Sequence, residues 1–167
     1  MSDAVFVRCS CREFTPDPVT EEQIKNMIRA GMQAPSARNE QPWEFLVVRS
    51  EPGRQALAAA SPYAKSCLNA PAVIVVMADQ SRISPESPWW VQDMSACVEN
   101  ILIEAVELGL GGVWLGMYPR EDRVKAIRDA FGLPQNLVPF AAVPVGHPAA
   151  KQKAGDRFDQ ERIRWEG

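Results

Sequence analysis

The sequence predicts a globular fold that mixes helices with strands, and three observations carry that expectation. The 167 residues are 46% apolar and 23% charged, ordinary proportions for a protein with a core of moderate size. The run from Ala72 to Ala78 is continuous, apolar and rich in valine, as a strand buried on both faces would be. The stretch from Trp90 to Leu108 places Val91, Met94, Val98, Ile101, Leu102, Ala105 and Leu108 at helical steps, with Ala96, Cys97 and Ile103 widening the stripe. No internal repeat or linker interrupts the chain, so residues 1–167 are read as one domain.

Taken in order, residues 2–9 fit either a short helix or an extended entry. Arg8-Cys9-Ser10-Cys11-Arg12 follows. Two guanidiniums around a hydroxyl suit a phosphate, because each offers a planar fork of donors; two solvated arginines near a terminus are the other reading. Thr15 to Pro18 forms a turn. Thr20 then opens a helix, with Gln23 as its capping-box partner and Glu21 and Glu22 at the positive end of the dipole. Ile24, Met27, Ile28 and Met32 give that helix an apolar face, and Pro35 requires it to stop.

The stretch Ala34 to Val48 is the least ordinary. It crowds Ser36, Arg38, Asn39, Glu40 and Gln41 between Pro35 and Pro42, then runs through Trp43 into a strand over 43–49. Prolines lower the entropic cost of holding one loop shape, and a stiff loop of hydrogen-bonding side chains makes a ligand surface as well as a plain turn. A helix is expected over 51–60, with Pro52 in its first turn, and a second helical piece after Pro62 running to Leu68. Asp79 to Pro88 is a polar loop. Trp89 and Trp90, which follow it, suit either a pocket cap or core and interface anchors.

Gly109-Leu110-Gly111-Gly112 ends the long helix and leads into a strand over Val113–Met117. These glycines precede a strand, whereas a dinucleotide fingerprint follows one and opens a helix. A helix over 120–131 ends at Gly132. Residues 137–146 are apolar but carry Pro139 and Pro144, which predicts an edge or irregular strand. In the tail that His147-Pro148 opens, Ile163 and Trp165 alternate with arginines, as in an arm laid on another surface.

Composition narrows the functional classes. Net charge is −3 and the pI about 5.3, so there is no global basic surplus for nucleic acid and no polybasic run for an anionic membrane. The longest apolar run, 70–78, is too short to cross a bilayer, and the N-terminus lacks the apolar stretch of a secretory signal; a cytoplasmic protein is expected. Cys9, Cys11, Cys67 and Cys97 have no zinc spacing and His147 is the lone histidine, so reduced thiols are expected and no metal site.

Together and in this order the motifs resemble the nitroreductase family of flavin enzymes. The resemblance rests on Arg8-x-Ser10-x-Arg12, on Ala34-Pro35-Ser36-x-x-Asn39-x-Gln41-Pro42-Trp43, and on Ala70-Pro71 before a valine-rich strand. It continues through Gly109-Leu110-Gly111-x-x-Trp114-Leu115-Gly116 to Val143-Pro144-Val145-Gly146-x-Pro148 and Asp156-Arg157-Phe158. It implies an α+β fold, with a mixed but mainly antiparallel central sheet flanked by helices. It also implies a homodimer with two FMN sites, each built from both chains.

By this resemblance Arg8, Cys9, Ser10 and Arg12 hold the FMN phosphate and ribityl chain, and Arg157 reaches the same phosphate. Pro35, Ser36 and Asn39 approach the flavin from the partner chain, while Trp114, Leu115 and Gly116 line its ring. The helix at 90–108 forms much of the dimer contact and the arm at 158–165 embraces the partner. Tyr63, Lys65 and Ser66 fall near the pyrimidine edge of the flavin.

No side chain is assigned a catalytic role, because the reactive centre is the flavin N5. The implied activity is ping-pong transfer from NADH or NADPH to a nitroaromatic, quinone or related small-molecule acceptor. Dehalogenation, flavin breakdown, a non-catalytic flavin carrier or redox sensor, and a thiol-metal protein using Cys9 and Cys11 are the alternatives. Two departures stand out: Cys9 replaces a basic residue found in many relatives, and the connection from Asp79 to Trp89 is short, which leaves the site open.

Overall fold

The computed structural model describes residues 3–167. Its centre is an antiparallel sheet of five strands in which β1 (Trp43–Val48) pairs with β2 (Ala72–Asp79) and β2 pairs with β5 (Leu137–Gly146). The far side of β5 carries two short strands, β3 (Gly111–Gly112) and β4 (Leu115–Gly116). A single parallel bridge, Ser10 to Gly112, attaches the N-terminal segment. This is the α+β arrangement expected, with every pairing between named strands antiparallel.

The valine-rich strand explains the layering. Side chains alternate across a strand, so Ala72, Ile74, Val76 and Ala78 face one apolar cluster while Val73, Val75 and Met77 face the other. The first cluster is closed by α2 (Glu21–Met32) and α5 (Trp90–Glu107), through Ile24, Met27, Met94, Val98, Ile101 and Leu102. The second is closed by α3 (Glu51–Ala59), α4 (Ser66–Asn69) and α6 (Glu121–Phe131), through Leu57, Cys67 and Ile127. A four-residue helix, α1 (Ala4–Val7), lies outside both clusters and leaves Val5, Phe6 and Val7 exposed.

Local signals acted as read. Thr20 and Gln23 exchange both capping-box bonds at the start of α2, with Gln23 N–H donating to Thr20 Oγ1 at 3.2 Å and Thr20 N–H to Gln23 Oε1 at 2.9 Å. At Gly31 a Cβ would stand 2.9 Å from Ile101 Cγ1 and 3.1 Å from Cys97 Sγ, so glycine is what lets α2 lie so close to α5. Gly132 closes α6 in the left-handed conformation.

Two strand expectations are corrected. Residues 137–146 form no edge strand: β5 is interior, between β2 and β3–β4. Its irregularity is a bulge, since Val76 faces Ala141 and Met77 faces Pro139, leaving Phe140 as the extra residue. Pro144 is tolerated because a strand residue's N–H and C=O point the same way. Its carbonyl accepts from Val113 N–H at 3.4 Å, so the missing donor faces Val113 rather than β2. That missing bond accounts for the second correction: residues 113–117 are no continuous strand, and pairing lapses at Val113 and Trp114 between β3 and β4.

Candidate functional site

A cleft of about 740 Å³ opens where the N-terminal segment, the turn before α4, the β3–β4 stretch and α6 converge. The Ser10–Gly112 bridge and the bond from Cys11 N–H to Gly112 O, 3.0 Å, lay residues 10–12 along β3. Gly111 makes that approach possible, because a Cβ there would stand 2.7 Å from Cys11 Cβ. Strand alternation buries Cys11 and turns Arg12 outward into the cleft. Trp114, Leu115 and Gly116 form one wall.

The opposite side is built from Tyr63, Lys65 and Ser66, with Arg123 contributed by the first turn of α6. Arg123 donates from Nη1 to the Gly116 carbonyl at 2.8 Å and lies over the Tyr63 ring, 5.6 Å from its centre. Ser66 is 6% exposed and its hydroxyl has no partner, an orphaned polar atom in the wall of a roomy cleft. The carboxylate in the lining, Glu13, accepts from Asn69 Nδ2 at 2.8 Å. Arg12, Lys65 and Arg123 form no ion pair among the described residues. An acidic chain thus gathers three cations against one anion on this surface.

Of the positions expected to hold a cofactor, Arg12, Trp114, Leu115 and Gly116 line the cleft. The others do not line it within one chain. Arg8 is held by α5, its Nε 3.0 Å from Glu99 Oε1. Cys9 lies in a smaller hollow of about 370 Å³ on the side of Gln152, whose Oε1 accepts from its thiol at 3.4 Å. Ser10 is exposed beside the bridge, and Arg157 is exposed in the tail. Trp89 is half exposed, whereas Trp90 packs edge-on against Tyr118 at 4.6 Å and against Phe140 at 6.1 Å.

Pro35, Ser36 and Asn39 stand beside the N-terminal turn of α5, on a loop of unusual geometry. Arg38, Asn39 and Gln41 all have positive φ, at 55°, 58° and 48°. Such conformations cost roughly 1–3 kcal/mol each and persist only where the surroundings dictate them. Here they do. Ala37 N–H donates to Asp93 Oδ1 at 3.0 Å and Gln41 N–H to Ser36 Oγ at 3.0 Å; Gln41 Nε2 donates to Asn39 Oδ1 at 2.8 Å. Glu40 Oε1 accepts from Ser84 N–H at 3.1 Å, and Arg38 donates to the Ser84 hydroxyl at 3.0 Å.

Glu13 and Arg123 were not among the expected residues. Each reads in the sequence as one charge among several on a solvated face, and no local signal distinguishes it. Burial raises Cys11 and pushes Cys67 and Cys97 up to about 12, so these three carry no activated thiol. Among the described residues no group of three His, Cys, Asp or Glu could hold a metal ion, and no helix is long and apolar enough to cross a membrane.

A family model described as the nitroreductase family matches residues 5–66 and 60–147. A protein of Archaeoglobus fulgidus, provisionally named NADH dehydrogenase/NAD(P)H nitroreductase, is 43% identical over 162 residues, 95% of this chain and 93% of that one. The crystal structure of a provisionally named NADH oxidase from Clostridium acetobutylicum superposes with a TM-score of 0.94 at 44% identity, covering 99% of both chains. A provisionally named nitroreductase of Desulfovibrio desulfuricans, solved in complex with FMN, superposes with a TM-score of 0.86 at 32% identity, over 99% of this chain and 95% of that one.

Proposed function

This chain belongs to the nitroreductase family, and from that premise we propose an FMN-dependent NAD(P)H oxidoreductase acting on a nitroaromatic, quinone or related acceptor. Donor and acceptor use one cleft in turn, a ping-pong cycle. The enzyme is a homodimer whose flavin sites draw on both chains. The cytoplasm, with its nicotinamide pool and reduced thiols, suits this activity.

The observation that carries the reading is the cleft itself. Its residues fit FMN. Arg12 supplies a fork of donors for a phosphate; Arg8, Ser10 and Arg157, which do not line this cleft within one chain, are assigned to the same phosphate by the family resemblance. Trp114, Leu115 and Gly116 offer a flat wall of apolar surface and backbone to a ring. The unpartnered Ser66 hydroxyl is a hydrogen-bonding group awaiting a polar edge. Bound FMN supplies the hydride chemistry, so the chain needs to bind, orient and leave one face open.

The shared site rests on the loop at 35–41. It is stiff, it carries Asn39, and it does not line the cleft of its own chain, which supports a role at the flavin of the partner chain. Val5, Phe6 and Val7 on α1, with Phe158 and Trp165 in the tail, supply exposed apolar surface for that association.

The test is anaerobic. Protein reconstituted with FMN is mixed with NADH or NADPH, then with a panel of nitroaromatic and quinone acceptors. Bleaching of the flavin spectrum followed by reoxidation with each acceptor is the expected result. Failure to retain FMN overturns the cofactor assignment, and bleaching without acceptor turnover makes the protein a carrier. A flavin-loaded monomer in light scattering overturns the shared site.

A further inference from the structure

Two cations of the cleft are not assigned to the flavin phosphate, although the resemblance sets one of them, Lys65, near the pyrimidine edge of the flavin. The family resemblance assigns the flavin phosphate, a dianion, to Arg8, Arg12 and Arg157, of which Arg12 lines this cleft. Lys65 and Arg123 remain on the other side of the same cleft, from different elements, without an ion pair among the described residues. Arg123 is pre-organised: one N–H donor is spent on the Gly116 carbonyl at 2.8 Å and its guanidinium carbon lies over the Tyr63 ring, 5.6 Å from the centre. The guanidinium keeps its other donors. Lys65 is exposed next to Ser66, whose buried hydroxyl is unpartnered.

This placement has an electrostatic consequence. The chain carries a net charge of −3 and on average repels polyanions. A cleft with a local excess of cations, here three against Glu13, reverses that locally and draws an anion into it. The reaction requires such an anion to enter and leave at every turnover, namely the dinucleotide donor, whose adenosine end bears phosphates.

We propose that Lys65 and Arg123 form a phosphate-binding subsite of the cleft, one that takes the adenosine phosphates of the nicotinamide donor and favours the 2′-phosphorylated form. The subsite rests on the oxidoreductase reading. The same chemistry would also take the phosphate of the flavin, so the experiment separates the two sources.

FMN-loaded wild type, Arg123→Gln and Lys65→Gln are titrated calorimetrically with 2′,5′-ADP and with AMP at low salt. FMN and riboflavin affinities are measured for the same three proteins. The wild type is expected to bind 2′,5′-ADP about tenfold more tightly than AMP, the scale of one charge-assisted hydrogen bond. Each variant should lose most of that ratio and keep the ratio of FMN to riboflavin affinity.

In turnover, KM for NADPH should rise about tenfold in each variant, with less change in KM for NADH. Lys65→Gln removes a side chain that makes no hydrogen bond or ion pair among the described residues, so its effect is not one of misfolding. Variants that keep the 2′,5′-ADP preference, or a wild type without one, overturn the proposal. Collapse of the FMN to riboflavin ratio instead assigns these cations to the flavin phosphate and also overturns it. If the wild type takes up no FMN the oxidoreductase reading falls, and the same titration on FMN-free protein still decides whether the subsite exists.

Discussion

The amide of Ala37 donates to Oδ1 of Asp93 at 3.0 Å, and the other carboxyl oxygen of Asp93 is buried without a partner. This bond ties the loop after α2 to the first turn of α5. It crosses 56 positions of sequence to hold a segment with three positive φ angles. Asp93→Ala should cost about 1–3 kcal/mol of stability, because a part-buried amide loses its acceptor. It should also lower flavin retention, although Asp93 does not line the cleft. Urea unfolding and FMN fluorescence measure the two effects; unchanged retention in a destabilised protein would separate the loop from the flavin.

Asn39 has φ 58°, a conformation asparagine accepts more readily than alanine. Asn39→Ala therefore mixes the loss of the amide with backbone strain, and Asn39→Gly removes the amide alone. If the amide meets the flavin of the partner chain, both variants should impair flavin affinity or the rate of its reduction to a similar extent. The expected fold, by circular dichroism, is intact. A defect confined to Asn39→Ala would assign the residue a backbone role only.

Arg8 and Arg12 reach the proposed phosphate differently: Arg12 is free in the cleft, whereas Arg8 is braced by Glu99 at 3.0 Å. Replacing either with alanine should weaken FMN binding by about 1.5–3 kcal/mol, the range for hydrogen bonds to charged groups. Riboflavin binding should change little. Equal FMN retention on dialysis of wild type and variants would remove the phosphate from this cluster.

Asp79, at the end of β2, accepts from the Ser81 hydroxyl at 2.6 Å and from Asn136 Nδ2 at 2.8 Å, with the Arg82 guanidinium beside it. These bonds hold its carboxyl below the ordinary value of 3.8. The folded state thus binds the proton less tightly than the unfolded chain. Its contribution to stability is present above the ordinary value and is lost as the pH falls through the lower, folded one. Asp79→Ala should cost about 1–3 kcal/mol at neutral pH. It should also flatten the acid limb of a stability profile, read as urea midpoints between pH 2 and pH 6. A parallel acid limb would show that other carboxyls govern it.

Much of this architecture follows from local chemistry and so was legible in the chain. Thr20 and Gln23 start α2 wherever it packs, Pro35 stops it, and the alternation of Ala72 to Ala78 defines a strand buried on both faces. The motif at 34–43 and the arginines at 8–12 were visible for the same reason: their character lies in residues close in sequence.

What escaped depends on which neighbour a residue meets. Pro139 and Pro144 predicted an edge or irregular strand, and β5 is irregular but interior, because a missing donor matters only on the side it faces and that side is set by the sheet order. The positive φ angles at Arg38, Asn39 and Gln41 involve no glycine, and the loop that carries them is anchored by bonds to Asp93 and Ser84, far along the chain, as well as by local bonds to Ser36 and Asn39. Arg123 was one cation on an amphipathic helix until folding set it against Gly116 and Tyr63. The sequence by itself determined the longer helices, the valine-rich strand, the cap of α2 and the residue types available for binding. Only the tertiary structure decided which of them share a cleft, because a cleft is a relation between elements distant in sequence and their order in the sheet creates it.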